Sequence, residues 1–109
     1  MEVIVVLITA GSEEEAARIG SALLAARLVA CVNRISGVRS DFWWQGVTEA
    51  AEETLLMAKT RRELWPQVLE MVRRRHSYEV FEAIALPILE GNPDYLQWIQ
   101  ESTQPLPAA

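Results

Sequence analysis

From Ala30 to Trp44 the chain reads as strand, interrupted only at Ser36-Gly37, and a second extended run spans Glu53 to Thr60 beyond a short polar turn around Gly46 to Ala51. The two form a long hairpin, and its length constrains the rest of the fold. Fifteen extended residues reach about 50 Å at ~3.3 Å each. A folded chain of 109 residues is only about 34 Å across. The hairpin therefore bends at a glycine bulge, projects from the body, or does both.

The remaining segments supply the body. Val3 to Thr9 is a continuous apolar, β-branched run suited to a central strand. Gly11 ends it, and Ser12 with Glu15 has capping-box spacing for a helix to about Arg27, with Ala16, Ile19, Gly20, Leu23 and Leu24 on one face. Thr60 and Glu63 repeat that spacing before the stripe Leu64, Val68, Met71 and Val72, although Pro66 sits so deep that the helix starts irregularly or only near Trp65. Val80 to Ile88 reads as a fourth strand, with Pro87 marking an edge. Asn92 and Pro93 then open a short last helix docked by Tyr95, Leu96 and Ile99. The order βαββαβ with right-handed crossovers gives an α+β, ferredoxin-like domain: a four-stranded antiparallel sheet, two helices on one face and an extra C-terminal helix. One domain covers residues 1–102, and residues 103–109, with two prolines, read as a frayed tail.

Charge and composition exclude several functions. The net charge is −5, and basic residues cluster only at Arg61-Arg62 and Arg73 to Arg75, so no basic face for nucleic acid exists. The N-terminal apolar run is too short to span a bilayer and carries no signal-peptide pattern, which points to a cytoplasmic protein. With one cysteine, Cys31, and one histidine, His76, neither an internal disulfide nor an iron–sulfur cluster can form. Gly-rich phosphate motifs and CxxC or HxxxH zinc spacings are absent.

Three features could carry chemistry. Thiol and imidazole donors, Cys31 and His76, suit copper or zinc, although a lone cysteine is more often a small buried hydrophobe and a histidine at a helix end a cap. The run His76-Ser77-Tyr78-Glu79-Val80-Phe81-Glu82 gathers an imidazole, a phenol and two carboxylates at a helix-to-strand junction; in a strand Val80 and Glu82 would share one face and Glu79 and Phe81 the other. It could hold a cation or small ligand, or be a solvated loop. Phe42-Trp43-Trp44 places large rings on both faces of the hairpin. One ring can pack on the body; a subunit interface is the simplest cover for the others.

Several segments together resemble the CutA divalent-cation tolerance family: Ala30-Cys31-Val32-Asn33, Ser40 to Gly46, Glu53 to Lys59-Thr60, His76 to Glu82 with Ala85-Leu86-Pro87-Ile88, then Gly91-Asn92 and Tyr95 to Trp98. The resemblance runs from Val3 to about Ser102 and implies a ferredoxin-like subunit in a homotrimer built like the PII signalling proteins. It also implies tolerance of copper and other divalent cations, no settled catalytic activity and no required cofactor. By that likeness Cys31, Lys59, His76, Tyr78 and Glu82 match positions around the inter-subunit cleft. Of these, Cys31, His76 and Glu82 are the metal-facing candidates, with Lys59 and Tyr78 as cleft residues and Phe42, Trp43 and Trp44 at the trimer interface. The family pattern has proline where this chain has Ser36, Ser77 and Phe81, and tyrosine at Phe42. Loss of the prolines should loosen those junctions, and the Phe81 ring should reshape the cleft. The expected function is a non-catalytic, trimeric divalent-cation (copper) response protein, with no nucleic-acid or membrane partner. The alternative is a PII-like adaptor binding a small anionic metabolite, for which Lys59 is the best feature; a hydrolase would need an anion-binding loop and a water activator that no segment supplies.

Overall fold

In the computed structural model, which describes residues 2–105, the chain runs β1 (Val3–Ala10), α1 (Glu13–Ala25), β2 (Cys31–Trp44), β3 (Val47–Arg61), a 3₁₀ turn (Arg62–Leu64), α2 (Trp65–Arg75), β4 (Ala83–Pro87) and α3 (Pro93–Ser102). The sheet is antiparallel throughout, in the order β2-β3-β1-β4. This is the ferredoxin-like arrangement that the element order implies.

Alternation along the central strand β1 decides where the core sits. Ile4, Val6, Ile8 and Ala10 point to the helical side, where they pack with Ala16, Ile19 and Leu23 of α1 and Val68 and Val72 of α2. The intervening positions belong to the other face. There Val5 lies between Lys59 and Leu86, and Leu7 between Met57 and Ile84. Helix α3 packs on β3 and β1 with Ile99 buried, and closes only the end where Val3 and Arg61 pair. Beyond it Ile84, Leu86 and Ile35 remain nearly half exposed.

The hairpin is longer, and its turn tighter, than the polar segment Gly46 to Ala51 suggests. Trp44 pairs with Val47, and both turn residues, Gln45 (φ 50) and Gly46 (φ 83), are left-handed. A two-residue turn of that kind matches the twist of the flanking strands, so Val47 to Ala51 join β3. Gly46→Ala is expected to cost about 1 kcal/mol through left-handed strain, read as a lowered urea midpoint. The bulge expected at Gly37 is present: Ile35 faces Leu55 and Val38 faces Glu53, leaving Ser36 and Gly37 (φ 74) opposite one residue, Thr54. Because β1 ends on that rung, with Ala10 opposite Thr54, the hairpin beyond it is a two-stranded ribbon. Val38 to Trp44 alone extends about 23 Å, and the molecule's longest dimension is 46 Å.

Four local expectations need correction. Thr60 does not cap α2. It stays in β3 and donates its hydroxyl to Leu28 O at 2.6 Å, and the helix starts at Trp65 with Pro66 in its first turn, where the missing N–H costs nothing. Asn92 precedes α3 without a side-chain capping bond. Strand β4 begins only at Ala83, because Phe81 turns away to stack on His76 and Glu82 reaches Thr9; strand alternation therefore does not govern residues 79–82. Finally, the segment read as a frayed tail is tied down at its start. Thr103 is buried and accepts from Arg61 Nε at 2.9 Å, and Gln104 N donates to Arg27 O at 2.8 Å. The rest of that tail, from residue 106, lies outside the described residues.

Candidate functional site

Residues 76–82 leave α2 and fold over the junction between β1 and α1. His76 is the pivot, with its side chain fully enclosed. Its Nε2 lies 2.6 Å from Thr9 O, which can only accept, so that nitrogen carries the proton; Nδ1 accepts from Tyr78 N–H at 3.1 Å. Both ring nitrogens are thus occupied in a neutral imidazole. Phe81 stacks on the ring at 5.3 Å, and Arg73 lies over Phe81 at 5.6 Å.

Glu15 is the second fastener. The capping-box carboxylate is 4% exposed and accepts from Gly11 N–H at 3.2 Å and from Ser77 N–H at 2.6 Å, while Ser12 caps Glu15 N. Burial pushes its pKa up. The hydrogen bonds from Ser77 and Gly11 outweigh burial and hold the carboxyl below its ordinary 4.5. A proline at 77 could not donate this bond, so serine there gives the junction a fastening that proline would lack. Ser36 likewise reaches across to the Glu13 carboxylate. Phe81 replaces a proline's rigidity with stacking.

Tyr78 crosses Gly11, where a Cβ would come within 2.8 Å of the phenol oxygen, and donates to Glu53 Oε2 at 3.1 Å. Burial, then the bond and charge of Glu53, raise the phenol above its ordinary pKa of 10.0. Between this segment and the hairpin ribbon lies a groove of about 770 Å³. Five rings line it (Phe42, Trp43, Trp44, Tyr78 and Phe81), as do five carboxylates (Asp41, Glu49, Glu53, Glu79 and Glu82). No lysine or arginine does, among the described residues. The carboxylates Glu49 and Glu53 come from the acidic stretch of β3, which drew no attention in the sequence; the signal was their alignment opposite Phe42 and Val38 in the hairpin register.

The sequence-derived site residues separate into two groups. His76, Tyr78 and Glu82 meet around Thr9, with Glu82 accepting from its hydroxyl at 3.4 Å. Cys31 and Lys59 are neighbours on adjacent strands in line with Val5, four residues or about 13 Å along β1 from Thr9. Lys59 donates to Asn33 Oδ1 and its Nζ lies 3.9 Å from Cys31 Sγ. Tyr95 of α3 completes this second cluster: burial, then the neighbouring Cys31, raise the phenol above its ordinary value. Cys31 and His76 therefore do not meet within one chain, and no group of three His, Cys, Asp or Glu among the described residues could hold a metal ion. Lys59 is absent from the groove lining, so an anionic metabolite would find no cation there.

Comparison with known proteins gives one consistent answer. A family described as "CutA1 divalent ion tolerance protein" matches residues 4–102. The divalent-cation tolerance protein CutA of Thermus thermophilus is 48% identical over 99 residues, covering 91% of this chain and 96% of that one. Against the chloroplastic CutA 1 protein of Oryza sativa the identity is 41% over 93% of this chain, which spans a little over half, 57%, of that longer relative. The Oryza sativa crystal structure superposes with a TM-score of 0.93 at 39% identity, covering 95% of each chain. A CutA of Archaeoglobus fulgidus, described as periplasmic, superposes at 0.91 and 41% identity, covering 94% of this chain and 99% of that one. No helix among the described residues is long and apolar enough to cross a membrane.

Proposed function

Because the chain belongs to the CutA1 divalent ion tolerance family, we propose that it is a cytoplasmic, homotrimeric divalent-cation response protein that binds Cu²⁺ or a related ion and performs no catalysis. The observation that carries this reading is the incompleteness of the single chain. Its open sheet face exposes Ile35, Ile84 and Leu86, and its ribbon exposes Trp43 (74%), Trp44 and Val47. Apolar surface of that extent needs cover, and sister copies bearing the same surfaces are the economical source.

The metal donors are incomplete in the same sense. Cys31 offers a soft sulfur that favours copper, and Glu82 offers a carboxylate at the groove, but they lie apart. A coordination shell then draws on more than one subunit. His76 joins it only by giving up the Tyr78 N–H, so it is the ligand that costs most to recruit. Calorimetric titration with Cu²⁺ is expected to show that Cys31→Ser and Glu82→Gln each weaken binding about tenfold or more, while both variants remain folded. Unchanged affinity in both would remove these residues from the site. Tight binding by a monomeric variant would remove the shared shell.

A further inference from the structure

The run Arg73-Arg74-Arg75-His76-Ser77 at the end of α2 has a pattern that neither the fold nor the metal reading uses. Two arginines, Arg74 and Arg75, stand three and two positions before a hydroxyl. Enzymes that transfer phosphate to serine select their substrates by such charge patterns, because guanidinium groups at fixed offsets fit acidic pockets beside the active site. The structure presents this pattern outward. Helix α2 ends at Arg75, the backbone of His76 is already extended (φ −82, ψ 137), and the three arginines and Ser77 are exposed. Ser77 belongs to the helical layer, where its N–H meets Glu15 of α1, and it is not among the residues lining the groove. Its exposure therefore does not depend on the ribbon rings or the open sheet face that sister copies would cover.

The same residue is where the fastening can be undone. Ser77 N–H donates at 2.6 Å to a Glu15 carboxylate that is 4% exposed, and the Ser77 hydroxyl neighbours that carboxylate. A phosphate ester at this oxygen carries a charge of about −1.5 to −2 at pH 7. Held against a carboxylate nearly closed to water, it is repelled with little screening. Swung outward, it meets the arginines of its own segment. Arg73 and Arg74 share Glu70, while Arg75 forms no ion pair among the described residues. Both effects favour a released arrangement, in which Tyr78 leaves Gly11 and Glu53. We infer that Ser77 is a phosphorylation site for an arginine-directed serine/threonine kinase, and that its modification detaches residues 76–82 from α1. In the transfer Ser77 Oγ attacks the γ-phosphorus of ATP and the bond from that phosphorus to the bridging oxygen breaks. ADP leaves, and the hydroxyl proton passes to the base of the kinase. Neither a bound metal nor the oligomer is required, so the inference stands apart from the copper reading.

The test incubates the folded full-length chain with radiolabelled ATP and the catalytic subunit of cyclic-AMP-dependent protein kinase, an arginine-directed enzyme. Label is expected to approach about one phosphate per chain, to map to Ser77 by mass spectrometry and to vanish in Ser77→Ala. Arg74→Ala and Arg75→Ala, both at exposed side chains, should each slow labelling about tenfold. Glu15→Gln weakens the hold on Ser77 N–H and should speed labelling about threefold. The phosphorylated chain should show faster amide exchange at Ser77 and Tyr78 and a lower unfolding midpoint than the unmodified one. If Glu15→Gln fails to fold by circular dichroism, the two arginine variants decide the site and amide exchange decides the release. Absence of label, label at another hydroxyl, or rates indifferent to both arginines would overturn the site. Full labelling of Ser77 with unchanged exchange at Tyr78, or no acceleration in folded Glu15→Gln, would overturn the release.

Discussion

Glu15→Ala is expected to lower the unfolding free energy by about 3 kcal/mol and to free residues 76–82 from the body. The carboxylate accepts two backbone N–H groups, from Gly11 and Ser77, at a site closed to water. Each bond to a charged acceptor contributes about 1.5–3 kcal/mol, and a donor left unpaired pays its desolvation. Glu15→Gln keeps an acceptor and should cost about half as much. Urea midpoints give the loss, and faster amide exchange at Ser77 and Tyr78 locates it. The pH dependence follows from the depressed carboxyl. A folded-state pKa below the unfolded one contributes stability that is complete above the unfolded value, near 4.5, and is lost as pH falls through the folded value. The acid limb of the stability profile should therefore flatten in Glu15→Gln. An acid limb identical to that of the parent would contradict the assignment.

Arg61→Ala should cost a comparable amount, about 3 kcal/mol, and undock α3. The guanidinium is 5% exposed at the end of β3. It donates to the Thr103 hydroxyl and to Gln104 O, where the carbonyl end of α3 concentrates partial negative charge. Its removal leaves buried Thr103 without that donor and opens the end of the sheet that Ile99 seals. Arg61→Lys keeps the charge but not the planar fork and should recover only part of the loss. Thermal unfolding with limited proteolysis reads both effects; a variant as resistant as the parent would show that α3 is held by its apolar face alone.

The parts of the fold that were legible in the sequence are those governed by short-range rules. β-Branched residues from Val3 to Thr9 marked the central strand, Ser12 and Glu15 the start of α1, Gly37 the bulge and Pro87 the edge. Expectations failed where a distant partner decided the outcome. Thr60 has the spacing of a cap, but Leu28 O claims its hydroxyl from 32 positions away. Val80 to Glu82 have strand-like residues, but His76 and Thr9 draw them out of the sheet. Thr103 and Gln104 resemble a tail until Arg61 binds them. At the site, the cluster from His76 to Glu82 was visible because its members are adjacent in sequence. Glu53 was not, since its significance comes from the Tyr78 phenol, which reaches it across 25 positions. The separation of Cys31 from His76 likewise depends on register, which residue types alone do not fix.

The surfaces described above belong together only if the protomer completes itself with copies of its own kind. Sedimentation equilibrium of the full chain at micromolar concentration is the most direct check. A particle of three times 12.3 kDa is predicted for the intact chain, and a single subunit, lighter than 12.3 kDa by the residues removed and with unaltered helical circular dichroism, when residues 38–53 are replaced by a short turn. An intact chain that sediments as a stable, fully folded single subunit would contradict it.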